Sequence, residues 1–245
     1  MTAIGILGAG GRMGLAIAKA IESEAEASFA GGADLGDDPG RLARASDVLL
    51  DFSAPGALAA NLGAAIDART PLVIGTTGLT AGHHRSIQAA SNEIAVLQTA
   101  NTSLGVNLLR ALVEEAARRL GPDWDIEIVE MHHRHKLDAP SGTALLLGAS
   151  ANAGRGAAGG DELNRFDRMR EGPHQREEGG IYYASLRGGS VAGDHLVIFA
   201  GEGERIELGH RAESREIFAK GAVAAALWLA GKPAGRYTMA DVLGL

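Results

Sequence analysis

Seven residues near the start of the chain restrict its fold more than any other segment. Gly8-Ala9-Gly10-Gly11-Arg12-Met13-Gly14 follows Ile4-Gly5-Ile6-Leu7, a short apolar run of strand character, and precedes Leu15 to Ile21, which reads as helix. A glycine loop between strand and helix lets backbone approach a pyrophosphate, with the free N–H groups and dipole of the helix start facing the anion. The run is not a strict G-x-G-x-x-G, because Met13 takes the last glycine position. It reads as G-x-x-G-x-x-G through Gly8, Gly11 and Gly14. Standing alone, it would be an ordinary tight βα turn.

It does not stand alone. Ser28 to Ala33, Val48-Leu49-Leu50, Leu72-Val73-Ile74 and Ile94 to Leu97 read as further strands, with helices over Ala57 to Ala68 and Ser86 to Ala90. Short, continuously apolar strands separated by helices predict an α/β fold, a Rossmann-like doubly wound parallel sheet covered on both faces. Asp34 ends the second strand, 20 residues beyond Gly14, where a carboxylate can accept from ribose hydroxyls. Gly75-Thr76-Thr77-Gly78 ends the fourth strand and Thr99-Ala100-Asn101-Thr102 the fifth, at the same edge. The expected dinucleotide site is therefore Gly8, Ala9, Gly10, Gly11, Arg12 and Met13, with Asp34, Gly75, Thr76, Thr77, Thr99, Ala100, Asn101 and Thr102. Asp34 repels a 2′-phosphate and Arg12 could reach one, so NADH, NADPH or both are expected as cofactor.

Past residue 100 the pattern changes. Ser103 is placed to cap a long helix running to Leu120, where Gly121-Pro122 stops it. Asp125 to Met131 alternates as a strand, and a second helix begins near Ser141. Residues 154–164, rich in Gly and Ala, read as loop. Tyr182 to Arg187, His195 to Ala200 and Arg205 to His210 are later strands, the last two joined through Gly201-Glu202-Gly203 as a hairpin. This second part is α+β. The closing helix, Ser214 to Ala230, is apolar round much of its circumference and needs a substantial packing partner.

The chain has eight histidines and four lysines, and Glu130-Met131-His132-His133-Arg134-His135-Lys136-Leu137-Asp138 concentrates three of the former and one of the latter. Ala139-Pro140-Ser141-Gly142-Thr143 then opens a helix, where Ser141 or Thr143 and the free N–H groups can receive an anion. Metal ligation is the first alternative, but His132 and His133 point to opposite faces of a strand and no second motif has metal spacing, so no metal is expected. A solvated charge run is the second, weakened by the adjoining helix start. An anion pocket accounts for both features, and an imidazole with a neighbouring ammonium can also supply protons. His83-His84 read as surface or capping residues, and His174 lies in a polar loop without a role. No G-x-S-x-G elbow is present, so serine hydrolase chemistry has no support.

Composition closes off other classes. Lys and Arg number 23 against 30 Asp and Glu, a net charge of −7, which opposes nucleic acid or an anionic membrane as partner. No apolar run reaches the roughly 18 residues of a membrane span, and no signal peptide is evident. Cysteine is absent, which removes disulfides and thiolate chemistry and fits a reducing, cytoplasmic setting.

The glycine loop, the Gly75-Thr76-Thr77-Gly78 turn and above all His132-His133-Arg134-His135-Lys136 with Asp138-Ala139-Pro140-Ser141-Gly142-Thr143 resemble the 4-hydroxy-tetrahydrodipicolinate (dihydrodipicolinate) reductase family. The resemblance runs nearly the whole chain, to the tail Met239-Ala240-Asp241-Val242-Leu243. It implies hydride delivery from a reduced nicotinamide to a cyclic dicarboxylate on the diaminopimelate route to lysine, with loss of water and addition of a proton to a ring carbon. Carried over by motif, His132 resembles the family's acid/base and Lys136 its proton donor, while His133, Gly142 and Thr143 match positions holding substrate carboxylates. Which of His132 and Lys136 protonates carbon stays open. The resemblance also implies a dinucleotide-binding domain over 1–102 and 213–245, a substrate-binding and tetramerisation domain over 103–212, and a homotetramer. Thr102 departs from it, since many members carry Phe there against the nicotinamide. An amino-acid dehydrogenase or imine reductase on the same scaffold is the competing enzyme reading. A nucleotide sensor without turnover is a third, and it leaves the His–Lys cluster unexplained.

Overall fold

The computed structural model of the chain describes residues 1–156, 164–165 and 175–245. Two compact units emerge, Met1–Leu104 with Glu216–Leu245, and Gly105–Arg215. The first unit runs through β1 (Thr2–Leu7), α1 (Arg12–Glu22), β2 (Ala27–Ala33), α2 (Pro39–Arg44), β3 (Val48–Asp51), α3 (Leu58–Ala68), β4 (Leu72–Ile74), α4 (Ala81–Ala90) and β5 (Ala95–Gln98) to the start of α5 (Leu104–Leu120). The second unit holds β6 (Asp125–His132), α6 (Gly142–Gly154), β7 (Asn164–Arg165), β8 (Ile181–Arg187), β9 (Gly193–Gly201) and β10 (Glu204–Ala212). The chain then returns to the first unit as α7 (Glu216–Leu229), β11 (Gly235–Tyr237) and α8 (Met239–Leu243).

In the first unit six strands form one sheet in the order β11-β5-β4-β3-β1-β2, with every pair parallel. The doubly wound reading holds. β3 and β4 are buried along their whole length because both sheet faces are covered, which is why they are continuously apolar. Alternation splits them between two cores. Val48, Leu50 and Val73 pack with α1, α7 and α8, through Ile17, Ile21, Val223, Leu229 and Met239. Leu49, Leu72 and Ile74 pack with α2, α3 and α4, through Leu42, Leu62 and Ile87. The apolar closing helix thus finds its partner in the sheet face that β1 begins, observed over Glu216–Leu229 rather than Ser214 to Ala230. A Cβ on Gly221 would lie 1.9 Å from the Thr102 carbonyl oxygen, so α7 needs glycine where it meets the turn after β5. The helix expected over Ser86 to Ala90 starts earlier, at Ala81. Thr80 caps it and the His83 side chain closes the capping box, so His83 is a capping residue.

The second unit is a mixed sheet, β10-β9-β6-β8-β7, with β9 antiparallel to β6 and β10, and β8 parallel to β6 and β7. One face carries Ile126, Ile128, Tyr183, Val197 and Phe199 against α5 and α6, through Leu109, Val113, Leu147 and Ala151. The loop expected over 154–164 is bounded by the last residue of α6 and the first of β7. Residues 157–163 within it, and His174, lie outside the described residues.

Candidate active site

Each unit carries its own set of candidate residues. In the first, the strand order reverses between β1 and β3, since β2 lies on one side of β1 and β3 on the other. Ligands of doubly wound sheets bind at the carboxyl ends of the strands at such a point. Gly8 stands there with φ +83°, and a Cβ on it would lie 2.8 Å from the Phe52 oxygen that follows β3. Gly14 sits where a Cβ would come within 2.3 Å of the Gly8 oxygen, so it lets α1 start directly against the loop. Gly11 is the N-cap of α1 and no side chain caps that helix end. A glycine cradle and an uncapped helix start, both a fit for a pyrophosphate, are therefore present in this chain. The exposed Asp34 accepts from the Gly10 N–H at 2.9 Å, which sets a carboxylate beside the loop at the end of β2.

The hydroxyls at the other strand ends are engaged within the unit. Thr76 is buried and donates its hydroxyl to Asp51 Oδ1 at 3.1 Å. Thr99 donates to the Asn101 oxygen at 2.7 Å, and Asn101 Oδ1 accepts from the Ser103 N–H at 2.9 Å. Thr102 donates to the Phe218 oxygen at 2.6 Å. These side chains shape the turns from inside, and what they leave to a ligand is backbone. Thr77 and Ala100, by contrast, are exposed. Gly75 is glycine for a packing reason, because a Cβ there would lie 2.3 Å from the Phe52 ring. The fully buried Asp51 holds this edge together. It accepts from Ser53 Oγ at 2.6 Å and Asn61 Nδ2 at 3.0 Å as well as from Thr76.

In the second unit β6 alternates as expected, with Ile126, Ile128, Glu130 and His132 on the covered face. His132 ends the strand, buried, with Nδ1 2.6 Å from Glu130 Oε2. His133 and Lys136 follow in the loop, with the Lys136 N–H bonded to the His133 oxygen at 3.1 Å. The Lys136 ammonium is 2.8 Å from the Asp138 carboxylate, and this hydrogen bond holds Asp138 below the usual carboxylate range. His133 Nε2 lies 2.9 Å from Arg215 Nη2. Its pKa is lowered by burial first and by the neighbouring guanidinium second. α6 then opens with Ser141 as N-cap, which accepts from the Ala144 N–H at 3.2 Å, and leaves Gly142 exposed. So His132, His133, Lys136, Gly142 and Thr143 share one strand end, loop and helix start. Ser141 is buried and already bonded on both its hydroxyl and its N–H, so it shapes the turn and does not offer its side chain to an anion. Among the described residues no group of three or more metal-binding side chains forms.

Sequence reasoning missed the residues that hold this cluster. Glu130 is 1% exposed and takes both guanidinium nitrogens of Arg187, Nη1 to Oε2 and Nη2 to Oε1, each at 2.8 Å. Burial alone would raise its pKa, and the hydrogen bonds from Arg187, Ser185 and His132, with the guanidinium charge, outweigh that and bring it down. His195 pairs with Glu130 across β9 and β6, stands edge-on to His132 with ring centroids 5.1 Å apart, and meets Ser141 Oγ through Nε2 at 3.0 Å. The period of two along β6 already puts Glu130 on the face of His132. No local pattern names Arg187 or His195, because strand pairing brings them in from more than fifty residues away, and Arg215 reaches His133 from the turn before α7.

His195 has a consequence for stability. Burial, with the His132 charge second, pushes its pKa down from 6.5 to about 4. As pH falls from about 6.5 to about 4 the unfolded chain binds a proton that the native chain refuses, so stability is full above this window and declines through it. At pH 5 the loss attributable to His195 is about 2 kcal/mol. Urea midpoints at pH 7 and pH 5 should differ less for His195→Gln than for the parent chain. Equal differences would remove His195 as the cause.

Comparison with known proteins agrees with both units. The family model described as dihydrodipicolinate reductase, N-terminus, matches residues 2–102, and the one described as dihydrodipicolinate reductase, C-terminus, matches residues 105–243. The 4-hydroxy-tetrahydrodipicolinate reductase of Zymomonas mobilis subsp. mobilis is 58% identical over 251 residues, covering 99% of this chain and 97% of that protein. That of Brucella abortus (strain 2308) is 48% identical over 264 residues, covering 98% of each. The fold recurs in the solved dipicolinate-bound dihydrodipicolinate reductase of Paenisporosarcina sp. TG-14, with TM-score 0.79, 23% identity and 98% of both chains covered. Matched at this identity over its whole length, with both halves of the family pattern present in order, the chain belongs to the dihydrodipicolinate reductase family.

Proposed function

We propose that this chain is an NAD(P)H-dependent oxidoreductase that reduces 4-hydroxy-tetrahydrodipicolinate to tetrahydrodipicolinate, in diaminopimelate and lysine biosynthesis. The observation that carries the reading is the clustering of His132, His133, Lys136 and the α6 start at one strand end, beside a buried Glu130. A small dianion needs such a set, with an ammonium, imidazole N–H groups and backbone N–H donors converging on its carboxylates. The hydroxyl leaves as water and a proton joins a ring carbon.

A bound NADH or NADPH supplies the hydride. Gly8, Ala9, Gly10, Gly11, Arg12 and Met13 would receive its pyrophosphate on backbone N–H groups, and Asp34 its ribose hydroxyls. The backbone of Gly75 to Thr77 and of Thr99 to Thr102 would line the rest. His132 and Lys136 are the groups able to hand over a proton. His133, Gly142 and Thr143 hold carboxylates, and Ser141 braces them from within. On this reading residues 1–102 and 213–245 are the dinucleotide-binding domain and 103–212 the substrate-binding domain.

Assembly as a homotetramer through the second sheet is part of the same proposal. The face opposite α5 and α6 carries Val129, Met131 and Leu196 with Leu186 at 49% exposure, beside a cavity of about 390 Å³. Such a surface gains by pairing with a copy of itself. No helix among the described residues is long and apolar enough to cross a membrane, and a cytoplasmic setting fits a cysteine-free chain.

The test is a coupled assay in which the preceding aldol-type synthase makes the substrate in place, with NADH and NADPH run side by side. Cofactor oxidation is expected only when the synthase product is present. Oxidation with amino-acid or monocarboxylate substrates, and none with this product, would overturn the reading.

A further inference from the structure

Glu130 is a fully buried carboxylate with two jobs that no single neighbour explains. Its Oε1 accepts from Arg187 Nη2 at 2.8 Å and from the Ser141 N–H at 3.3 Å, and its Oε2 accepts from Arg187 Nη1 at 2.8 Å. Three of its lone-pair directions are therefore filled by donors that cannot turn into acceptors. The fourth meets His132 Nδ1 at 2.6 Å. An ionised carboxylate only accepts, so the hydrogen on this contact belongs to the imidazole. Nε2 is left as the atom that can give up or take a proton. It faces Gly193, whose φ is +156° and where a Cβ would stand 3.0 Å from Nε2. A side chain there would crowd the working edge of the ring, and glycine keeps it clear.

We propose that Glu130, locked by Arg187, is a positioning residue that fixes His132 in its Nδ1–H tautomer and so aims Nε2 at the substrate. The same carboxylate ties the acid/base to the start of α6, because its Oε1 also holds the Ser141 N–H from which Gly142 and Thr143 follow. Charged or titratable neighbours among the described residues also include His195 on β9, the adjoining His133 and, in the loop, Lys136 with its partner Asp138. His195 offers the His132 ring an edge contact, and Lys136 is paired elsewhere. Neither replaces Glu130 at Nδ1. This inference rests on the reading of His132 as the proton-transferring group, and deepens it.

Glutamine at position 130 changes the hydrogen-bond sense without changing the shape. With its oxygen serving Arg187 and Ser141, its NH₂ faces Nδ1 and forces that atom to accept, moving the ring hydrogen to Nε2. Because that NH₂ also faces an Arg187 N–H, Glu130→Gln is made alone and together with Arg187→Met, which removes the facing donor and keeps a foldable alternative. The first readout is the tautomer, from long-range ¹H–¹⁵N correlations of the histidine rings in the labelled full-length chain, with His132→Gln identifying the signal. The second is kcat in the coupled assay, and the third is the Kd for pyridine-2,6-dicarboxylate. Expected are an Nδ1–H ring in the parent, an Nε2–H ring in both variants, kcat lower by about a hundredfold or more, and a dicarboxylate Kd held within about threefold. An unchanged tautomer, or a switched tautomer with kcat intact, would overturn the positioning role while leaving parental turnover in place. A parent chain without turnover would instead overturn the functional reading itself, and the role of Glu130 with it.

Discussion

Replacing His132 by glutamine is expected to lower kcat by about two to four orders of magnitude, the range for loss of a general acid or base. Affinity for NADH or NADPH should be unchanged. Glutamine is close in shape, can still donate to Glu130 Oε2, and has no proton to exchange near neutral pH. Lys136→Ala should cost kcat on the same scale and should also raise KM, because in its proposed role the ammonium would both neutralise a substrate carboxylate and supply a proton. The two effects separate through the cofactor. The glycine loop belongs to the unit Met1–Leu104, and both substituted residues to Gly105–Arg215. Tryptophan fluorescence or calorimetric titration with NADH measures binding, and the coupled assay measures turnover. Full turnover in both variants would remove the assigned roles, and a parallel loss of cofactor binding would point to damage of the fold.

The second large effect is expected at Gly14. Alanine there places a Cβ 2.3 Å from the Gly8 oxygen and 2.5 Å from the Ala9 oxygen, both backbone atoms of the loop itself. Neither can swing aside as a side chain would, so either α1 backs away or the loop opens. Overpacking of a tight site costs about 1–3 kcal/mol, and contact with fixed backbone belongs at the upper end. Cofactor affinity should fall with stability, because the displaced atoms are those that frame the helix start. Gly63→Ala is the matched control. That glycine lies inside α3 with no neighbour within 4 Å of a new Cβ. Alanine should therefore stabilise by up to about 1 kcal/mol through its better helix propensity. Urea denaturation and NADH titration of both variants decide the matter. Equal stability for the two would mean that the loop adapts.

What could be read from the chain follows from how local each signal is. The parallel sheet showed itself because β3 and β4 are buried on both faces and carry no polar residue until Asp51. β11 escaped notice, since Gly235-Arg236-Tyr237 gains strand geometry only by pairing with β5. The turns after β4 and β5 are legible as chain positions, but the sequence does not say where their hydroxyls point. In the structure Thr76, Thr99 and Thr102 close hydrogen bonds within the unit, a choice made by Asp51 and Phe218 and absent from any motif. In the second unit the cluster from His132 to Thr143 is contiguous and therefore visible. Its supports are not. Arg187 and His195 reach Glu130 only through the register of three strands, which no period within one strand encodes.

The return of the chain to the first unit has a consequence for how the protein is made. Ile4, Ile6 and Val48 share their core with Val223, Leu229 and Met239. On the ribosome, the part of the first sheet's face that α7 and α8 cover therefore waits until residues 216–243 have been made. Gly105–Arg215 is continuous in sequence and has every part it needs before α7 is translated. The order of synthesis is thus the reverse of the order of completion. The unit begun first is finished last, and a chain stopped before α7 leaves part of an apolar sheet face open for chaperones to guard.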